Sequence, residues 1–157
     1  MTNARRAGGS PPALDAGRLW VGGLATALVA ALTAAVGVLI ATGLLDVEVL
    51  APPGFTGSVI GDYAIAAAIA ALLATALIHL LLVAAPRPLA FFGWIIGLLI
   101  IVVTVLPFTS AAELPTKLAT ATINLVVGIA IASLTSGTAA RLARTSRRTA
   151  GGDPALG

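Results

Sequence analysis

The chain contains one histidine, and its position makes His79 the first candidate for chemistry. Imidazole titrates near neutral pH, so a histidine in apolar surroundings can relay protons or line a path for ions. His79 lies in an apolar stretch at 63–85 that contains no Asp, Glu, Lys or Arg. One imidazole cannot form a metal site by itself, and no apolar stretch of the chain holds a carboxylate as a proton partner. A neutral imidazole that hydrogen-bonds to a neighbouring helix is the favoured interpretation, and a proton-linked role is the alternative.

Among the other polar side chains in the apolar stretches, the candidates for contacts between helices are Thr75, Thr104 and Asn124. At about 1.5 Å per residue, His79 and Asn124 lie about 10 Å apart along the membrane normal, so they are not predicted to be direct partners. Thr104 lies at a depth closer to that of Asn124 and is its predicted hydrogen-bond partner. Asn124 is therefore predicted to set the register of two helices rather than to perform chemistry.

The chain lacks the side-chain combinations that most enzymes use. It has no cysteine, which excludes disulfides, thiolate metal sites and cysteine nucleophiles. The acids between the apolar stretches are Asp46, Glu48, Asp62 and Glu113. Neither a histidine nor a glycine-rich loop accompanies them, so they are predicted to lie in solvated loops. We therefore predict that the protein is not an enzyme and needs no metal or cofactor.

The elements that must position these residues are four apolar stretches, at 19–45, 63–85, 89–107 and 116–138. About 20 apolar residues in a helix span a hydrocarbon core about 30 Å thick. Hydrophobic residues make up 59% of the 157 residues and charged residues 10%, too few to cover a water-soluble domain. The predicted fold is all-α: a membrane-embedded antiparallel four-helix bundle over 18–138, with an outer loop at 46–62.

The distribution of basic residues predicts the orientation of the chain, because they concentrate in cytoplasmic segments. Eight fall on one side of the alternating stretches: Arg5, Arg6, Arg18, Arg87, Arg141, Arg144, Arg147 and Arg148. Only Lys117 falls on the other side. Both termini are therefore predicted to be cytoplasmic, with residues 1–17 a disordered basic tail and 139–157 a second basic tail. Arg87 and the four C-terminal arginines are expected to contact anionic lipid headgroups rather than nucleic acid.

Small residues at helical spacing indicate where helices approach closely in a membrane. The more specific examples are Gly93 and Gly97 in the third stretch and Gly128 and Ala132 in the fourth. Packing within the four-helix bundle is the favoured interpretation. The alternative is that Gly93 and Gly97 face a second copy of the chain or another membrane protein.

Several segments carry a family resemblance: 18–20, 22–26, 44–47, 86–94, 106–108 and 123–125. The most specific of them runs from Pro86-Arg87-Pro88 to Trp94. Together they resemble an uncharacterised family of small four-span membrane proteins from actinobacteria. The resemblance covers about residues 18–138 and implies the architecture and a plasma-membrane location, but no activity and no catalytic residue.

These observations favour a non-enzymatic integral membrane protein that acts as a structural or accessory component through helix–helix contacts. The alternative is a small transporter or channel subunit that uses His79 and Asn124 in the bundle interior.

Overall fold

A computed structural model describes residues 16–52, 54 and 56–150, with side chains described as far as Arg141 except at residues 16 and 18. That part of the chain is all-helical, as predicted, and contains no strand. The helices are α1 (Ala16–Leu39), α2 (Val59–Ala84), α3 (Pro88–Val105) and α4 (Leu114–Ala150). All four are long and apolar enough to cross a membrane. Most of the predicted disordered tail at 1–17, and the residues after Ala150, lie outside the described residues.

The C-terminal end of α1 is widened into a π-helical turn over Ile40–Leu44. The backbone N–H of Leu45 donates to the carbonyl of Ile40 at 3.0 Å, and that of Val47 donates to the carbonyl of Ala41 at 2.8 Å. Asp46 lies between these two donors with a φ of 52°. Aspartate is one of the few residues other than glycine that enter this left-handed region readily, and a left-handed residue ends many helices. The chain therefore leaves α1 abruptly and turns across the ends of the helices.

The start of α2 is fixed by side chains that cap its first turn. Ser58 is the N-cap residue, and its hydroxyl accepts a hydrogen bond from the N–H of Gly61 at 3.1 Å. The Asp62 carboxylate accepts hydrogen bonds from the backbone N–H of Thr56 at 2.7 Å and from its hydroxyl at 3.0 Å. Asp62 is only 5% exposed, so the prediction that it lies in a solvated loop is wrong. Its charge lies in the first helical turn, where the helix dipole favours an anion.

Prolines mark both ends of α3. Pro88 is in the first turn, where the missing N–H costs no helical hydrogen bond. At the other end α3 passes into a 3₁₀ turn over Leu106–Thr109 that contains the buried Pro107. The turn between α2 and α3 is therefore short, and α3 stops soon after Val105.

The core is built mainly from alanines, which let helix backbones approach closely. α1 packs against α2 and α4, and α3 packs against α4 and α2. The buried alanines are Ala27, Ala30, Ala34, Ala41, Ala67, Ala71, Ala74, Ala121 and Ala139. Larger buried side chains, such as Val38, Ile78 and Phe92, fill the space between them. Burial is uneven, because only 6% of the most apolar part of α3 is buried, against 28–33% for the other three helices.

Candidate functional site

A cavity of about 710 Å³ lies between α2, α3 and α4. Its walls are almost entirely aliphatic and include Ala70 and Leu73 from α2, Leu99 and Val103 from α3, and Val127 and Ile131 from α4. Concave sites of this volume, lined mainly by apolar side chains with a few polar groups, are typical of small-molecule binding sites. We call it the interhelical cavity.

The polar groups of the interhelical cavity lie toward the end of the helices where the loop between α1 and α2 crosses, which we call the loop end. They are Tyr63, Thr109, Ser110, Thr120 and Asn124. No charged side chain is among the described residues that line the cavity. These groups can donate and accept hydrogen bonds, but they provide no acid–base pair and no activated nucleophile. The arrangement can orient a ligand through hydrogen bonds.

The loop after α1 covers the cavity at the loop end, and two helices hold it there. Leu50, Ala51 and Pro52 line the cavity. The backbone N–H of Leu50 donates to the hydroxyl of Thr120 at 3.0 Å, and the hydroxyl of Tyr63 donates to the carbonyl of Leu50 at 2.8 Å. One residue of the loop is thus attached to α4 through its donor and to α2 through its acceptor.

Asn124 joins α4 to α3 through a backbone group that proline leaves without a partner. Its side-chain N–H donates to the carbonyl of Val103 at 2.8 Å. In a regular helix that carbonyl would accept from the N–H of residue 107, but Pro107 has none. Neighbouring helices commonly supply the missing donor in apolar surroundings, where an unpaired carbonyl is costly. The amide also cannot be flipped, because its oxygen would then face the oxygen of Val103.

The predicted partner of Asn124, Thr104, is therefore wrong by one residue. The hydroxyl oxygen of Thr104 is buried and has no hydrogen-bond partner among the described residues, and the same holds for Thr135 on α4. The Asn124 amide pairs with the backbone carbonyl of Val103 because Pro107 removes the helical donor of that carbonyl.

The other two predicted polar positions do not join this site. Thr75 is buried, and its hydroxyl donates to the carbonyl of Ala71 in its own helix at 2.9 Å. A Cβ on Gly23 of α1 would lie 2.6 Å from Thr75 Cγ2, so this glycine allows α1 and α2 to meet. His79 is half-buried, is not among the cavity-lining residues, and forms no hydrogen bond with the described residues. Of the two, only Asn124 lines the interhelical cavity.

The predicted packing glycines divide into two kinds. A Cβ on Gly128 would lie 2.8 Å from Ile100 Cγ1, so this glycine accommodates α3 against α4. Ala132, one turn further along α4, is half-buried. A Cβ on Gly93 or Gly97 would meet no heavy atom within 4 Å outside its own helix backbone and chain neighbours. Gly128 therefore serves packing within the protein, whereas Gly93 and Gly97 face outward.

The predicted lipid-contacting arginines are only partly described. Arg87 is exposed and precedes α3 as its N-cap residue without a capping hydrogen bond from its side chain. Arg141 is exposed on α4, whereas the side chains of Arg144, Arg147 and Arg148 lie outside the described ones. Among the described residues no three His, Cys, Asp or Glu side chains lie close enough together to hold a metal ion.

Sequence reasoning missed the polar residues Tyr63, Thr109, Ser110 and Thr120 of this site and the loop residue Leu50. Leu50 contributes through its backbone, which no side-chain pattern reveals. A usable signal existed for the Asn124 contact, because a proline at 107 near the end of an apolar helix implies an unpaired carbonyl at 103.

Comparison with known proteins gives a family and no activity. No curated protein and no solved structure is similar enough to this chain to count as a match. The model of a family of unknown function, DUF6069, matches residues 14–149, which includes all four helices except the last residue of α4. The chain therefore belongs to the DUF6069 family of unknown function.

Proposed function

We propose that the protein is an integral protein of the plasma membrane that crosses it four times as an antiparallel helix bundle, with both termini in the cytoplasm. The length and hydropathy of the four helices support the crossing. The position of eight of the nine basic residues on one side of the alternating apolar stretches supports the orientation.

Within that membrane, the protein acts as a non-enzymatic accessory component that binds another protein or a second copy of itself through α3. The observation that carries this proposal is the open face of α3, which we define by Ala90, Gly93, Gly97 and Ile101. Ala90, Gly93 and Ile101 are exposed, and nothing lies within 4 Å of a Cβ placed on either glycine. Two outward glycines four residues apart allow a second helix to approach closely, which is how helices associate where water supplies no driving force.

Burial of the four helices supports the same assignment. α3 contributes the least buried surface, although its hydropathy of 2.8 is the highest of the four. Lipid chains alone would suit a face of Leu, Ile and Val. Glycines offer lipid little contact area, so their presence on this face favours a helix as the neighbour.

A path for transport that uses both His79 and Asn124 lacks comparable support. His79 does not line the interhelical cavity, and the Asn124 amide is engaged by the carbonyl of Val103.

The test is a paired substitution on the open face of α3. Gly93→Leu with Gly97→Leu fills the groove without adding charge. We expect the assembly purified in mild detergent to lose its partner, which native mass spectrometry measures as a drop in mass to that of a single chain. The matched control is Gly137→Leu, an open glycine on α4 with nothing within 4 Å of its Cβ position. An unchanged mass in the double variant, with helical content preserved, would contradict the proposal.

A further inference from the structure

The interhelical cavity opens sideways, at the depth of the bilayer centre. Leu73 on α2 and Leu99 on α3 both line it, and they are 65% and 53% exposed, so they form its mouth. Each lies within two residues of the middle of its span, Val59–Ala84 or Pro88–Thr109. If the protein is embedded as proposed, a ligand therefore enters from the middle of the hydrocarbon core rather than from either headgroup layer.

The deepest polar group of the cavity lies close to the same level. Asn124 is three to four residues from the middle of the span Leu114–Arg141, which at about 1.5 Å per residue is about 5 Å from the bilayer centre. No charged side chain is among the described residues that line the cavity. A charged group would lose its hydration at this depth without a partner, so the ligand that fits is uncharged.

Asn124 leaves one donor and one acceptor for such a ligand. One of its N–H groups donates to the carbonyl of Val103 at 2.8 Å, and neither its second N–H nor its amide oxygen bonds to another described residue. The hydroxyls of Tyr63, Thr109 and Ser110, in contrast, donate to backbone carbonyls. A quinone carbonyl can accept from the second N–H of Asn124, and the hydroxyl of a hydroquinone can donate to the amide oxygen.

The cavity is wider than a single hydrocarbon chain. On α4 its lining extends from Thr120 to Ile131, which at about 1.5 Å per residue is a distance of about 16 Å. The volume of about 710 Å³ divided by this length gives a mean cross-section of about 44 Å². Carbon atoms in contact lie about 4 Å apart, so one extended chain fills only about 16 Å². A ring suits this cross-section, whereas an alcohol with one unbranched chain leaves most of it empty.

We propose that the interhelical cavity binds an isoprenoid quinone, with its ring beside Asn124 and its tail leaving between Leu73 and Leu99 into the bilayer centre. Quinone and hydroquinone rings are both uncharged, so the same amide can hold either form. The branched, apolar tail needs no polar partner, which suits a mouth formed by two leucines. This inference rests on the membrane embedding in the proposed function but not on the open face of α3.

The test is photo-labelling in phosphatidylcholine vesicles with an azido derivative of decylubiquinone, a quinone with a decyl chain as its tail. Adducts are mapped by peptide mass spectrometry. We expect labelling of Val103 and Val127, which line the cavity, to fall several-fold when azide-free decylubiquinone is added in excess. An equal excess of decanol, which has a chain and a hydroxyl but no ring, or of cholesterol should leave it unchanged. Label on Leu24, an exposed residue of α1 that does not line the cavity, should respond to no competitor.

Substitutions tie the binding to the cavity. Ala70→Phe fills part of the lining and should remove the competed labelling, whereas Ala25→Phe on an exposed part of α1 should not. If Ala70→Phe reduces helical content, Leu99→Trp fills the mouth from α3 instead. With carbon-13 in the quinone carbonyls, infrared spectroscopy should show their stretch at lower frequency in the wild-type protein than in lipid alone, and Asn124→Leu should abolish this shift.

Labelling of Val103 and Val127 that no competitor reduces, or that decanol or cholesterol reduces as strongly as decylubiquinone, overturns the proposal. Competed labelling that survives both Ala70→Phe and Leu99→Trp does the same. Absence of label from Leu24 as well as from the cavity residues would instead contradict the membrane embedding, so the two failures are distinguishable.

Discussion

At the scale of single residues, the hydrogen bond between Asn124 and Val103 is the contact whose origin in the sequence is clearest. Asn124 is identifiable from sequence because an amide in an apolar helix needs a partner. The prediction of Thr104 as its partner is wrong because it considered only side chains, whereas the acceptor is a backbone carbonyl. The carbonyl of Val103 lacks a helical donor because residue 107 is proline, and it receives the Asn124 N–H at 2.8 Å.

Asn124 and Pro107 should therefore be energetically coupled. Asn124→Leu should lower the free energy of unfolding by about 1–3 kcal/mol, because it leaves the carbonyl of Val103 unpaired in apolar surroundings. In a Pro107→Ala background the same substitution should cost less, since the restored N–H can serve Val103 within α3. A double-mutant cycle, measured by reversible unfolding in detergent micelles, gives the coupling. Equal costs of Asn124→Leu in both backgrounds would show that Val103 is not what Asn124 serves.

At the scale of elements, hydropathy alone predicts four helices, and the structure has four in its described part. Hydropathy does not predict the hydrogen bonds of polar groups that fix where a helix begins and where a loop lies. α2 begins at Val59, before the apolar stretch at 63–85, because Ser58 caps it and Asp62 accepts hydrogen bonds from Thr56. The position of the loop over the cavity is equally hidden from hydropathy, since it depends on the backbone of Leu50 meeting two helices that are remote in sequence.

The attachment of the loop to α4 is testable through one amide. In Thr120→Val the N–H of Leu50 loses its acceptor, so its hydrogen exchange should become about fivefold faster, which corresponds to a hydrogen bond worth about 1 kcal/mol. Hydrogen exchange resolved to single residues measures this. The matched control is Thr122→Val, because the exposed Thr122 hydroxyl bonds only to the carbonyl of Leu118 in its own helix. Protection of Leu50 that stays at the wild-type level in Thr120→Val would argue that the loop is held by other contacts.

At the scale of the whole molecule, the burial of the helices gives information about their packing, and the distribution of charge gives separate information about the orientation of the chain. Burial places α1 in contact with α2 and α4, and leaves α3 the least covered. Charge distribution assigns the proposed sides of the membrane, and arginine positions alone are enough to predict it. The sequence alone does not show which glycines face inward and which face outward. Gly93, Gly97 and Gly128 are the same residue type and differ only in whether another helix lies against them.

The proposed orientation predicts which positions a membrane-impermeant reagent can reach. The chain has no native cysteine, so single cysteines report without background. In intact cells Glu48→Cys, in the exposed loop after α1, should react with an impermeant maleimide. Pro86→Cys, in the exposed turn between α2 and α3, should react only after lysis. The reverse pattern would mean that the termini lie outside the cell.

The most direct test of the central claim is to ask, in the native membrane, what touches the open face of α3. Ala90→Cys and Ile101→Cys, each labelled with benzophenone maleimide and irradiated, place a crosslinker at the two ends of that face. The comparison position is Leu28→Cys on α1, where the native side chain is 63% exposed against 60% for Ile101. The proposed function predicts a discrete crosslinked protein, either a second copy or one partner, from both α3 positions and not from Leu28→Cys. Labelled single chains alone from both α3 positions, or the same products from α1, would contradict it.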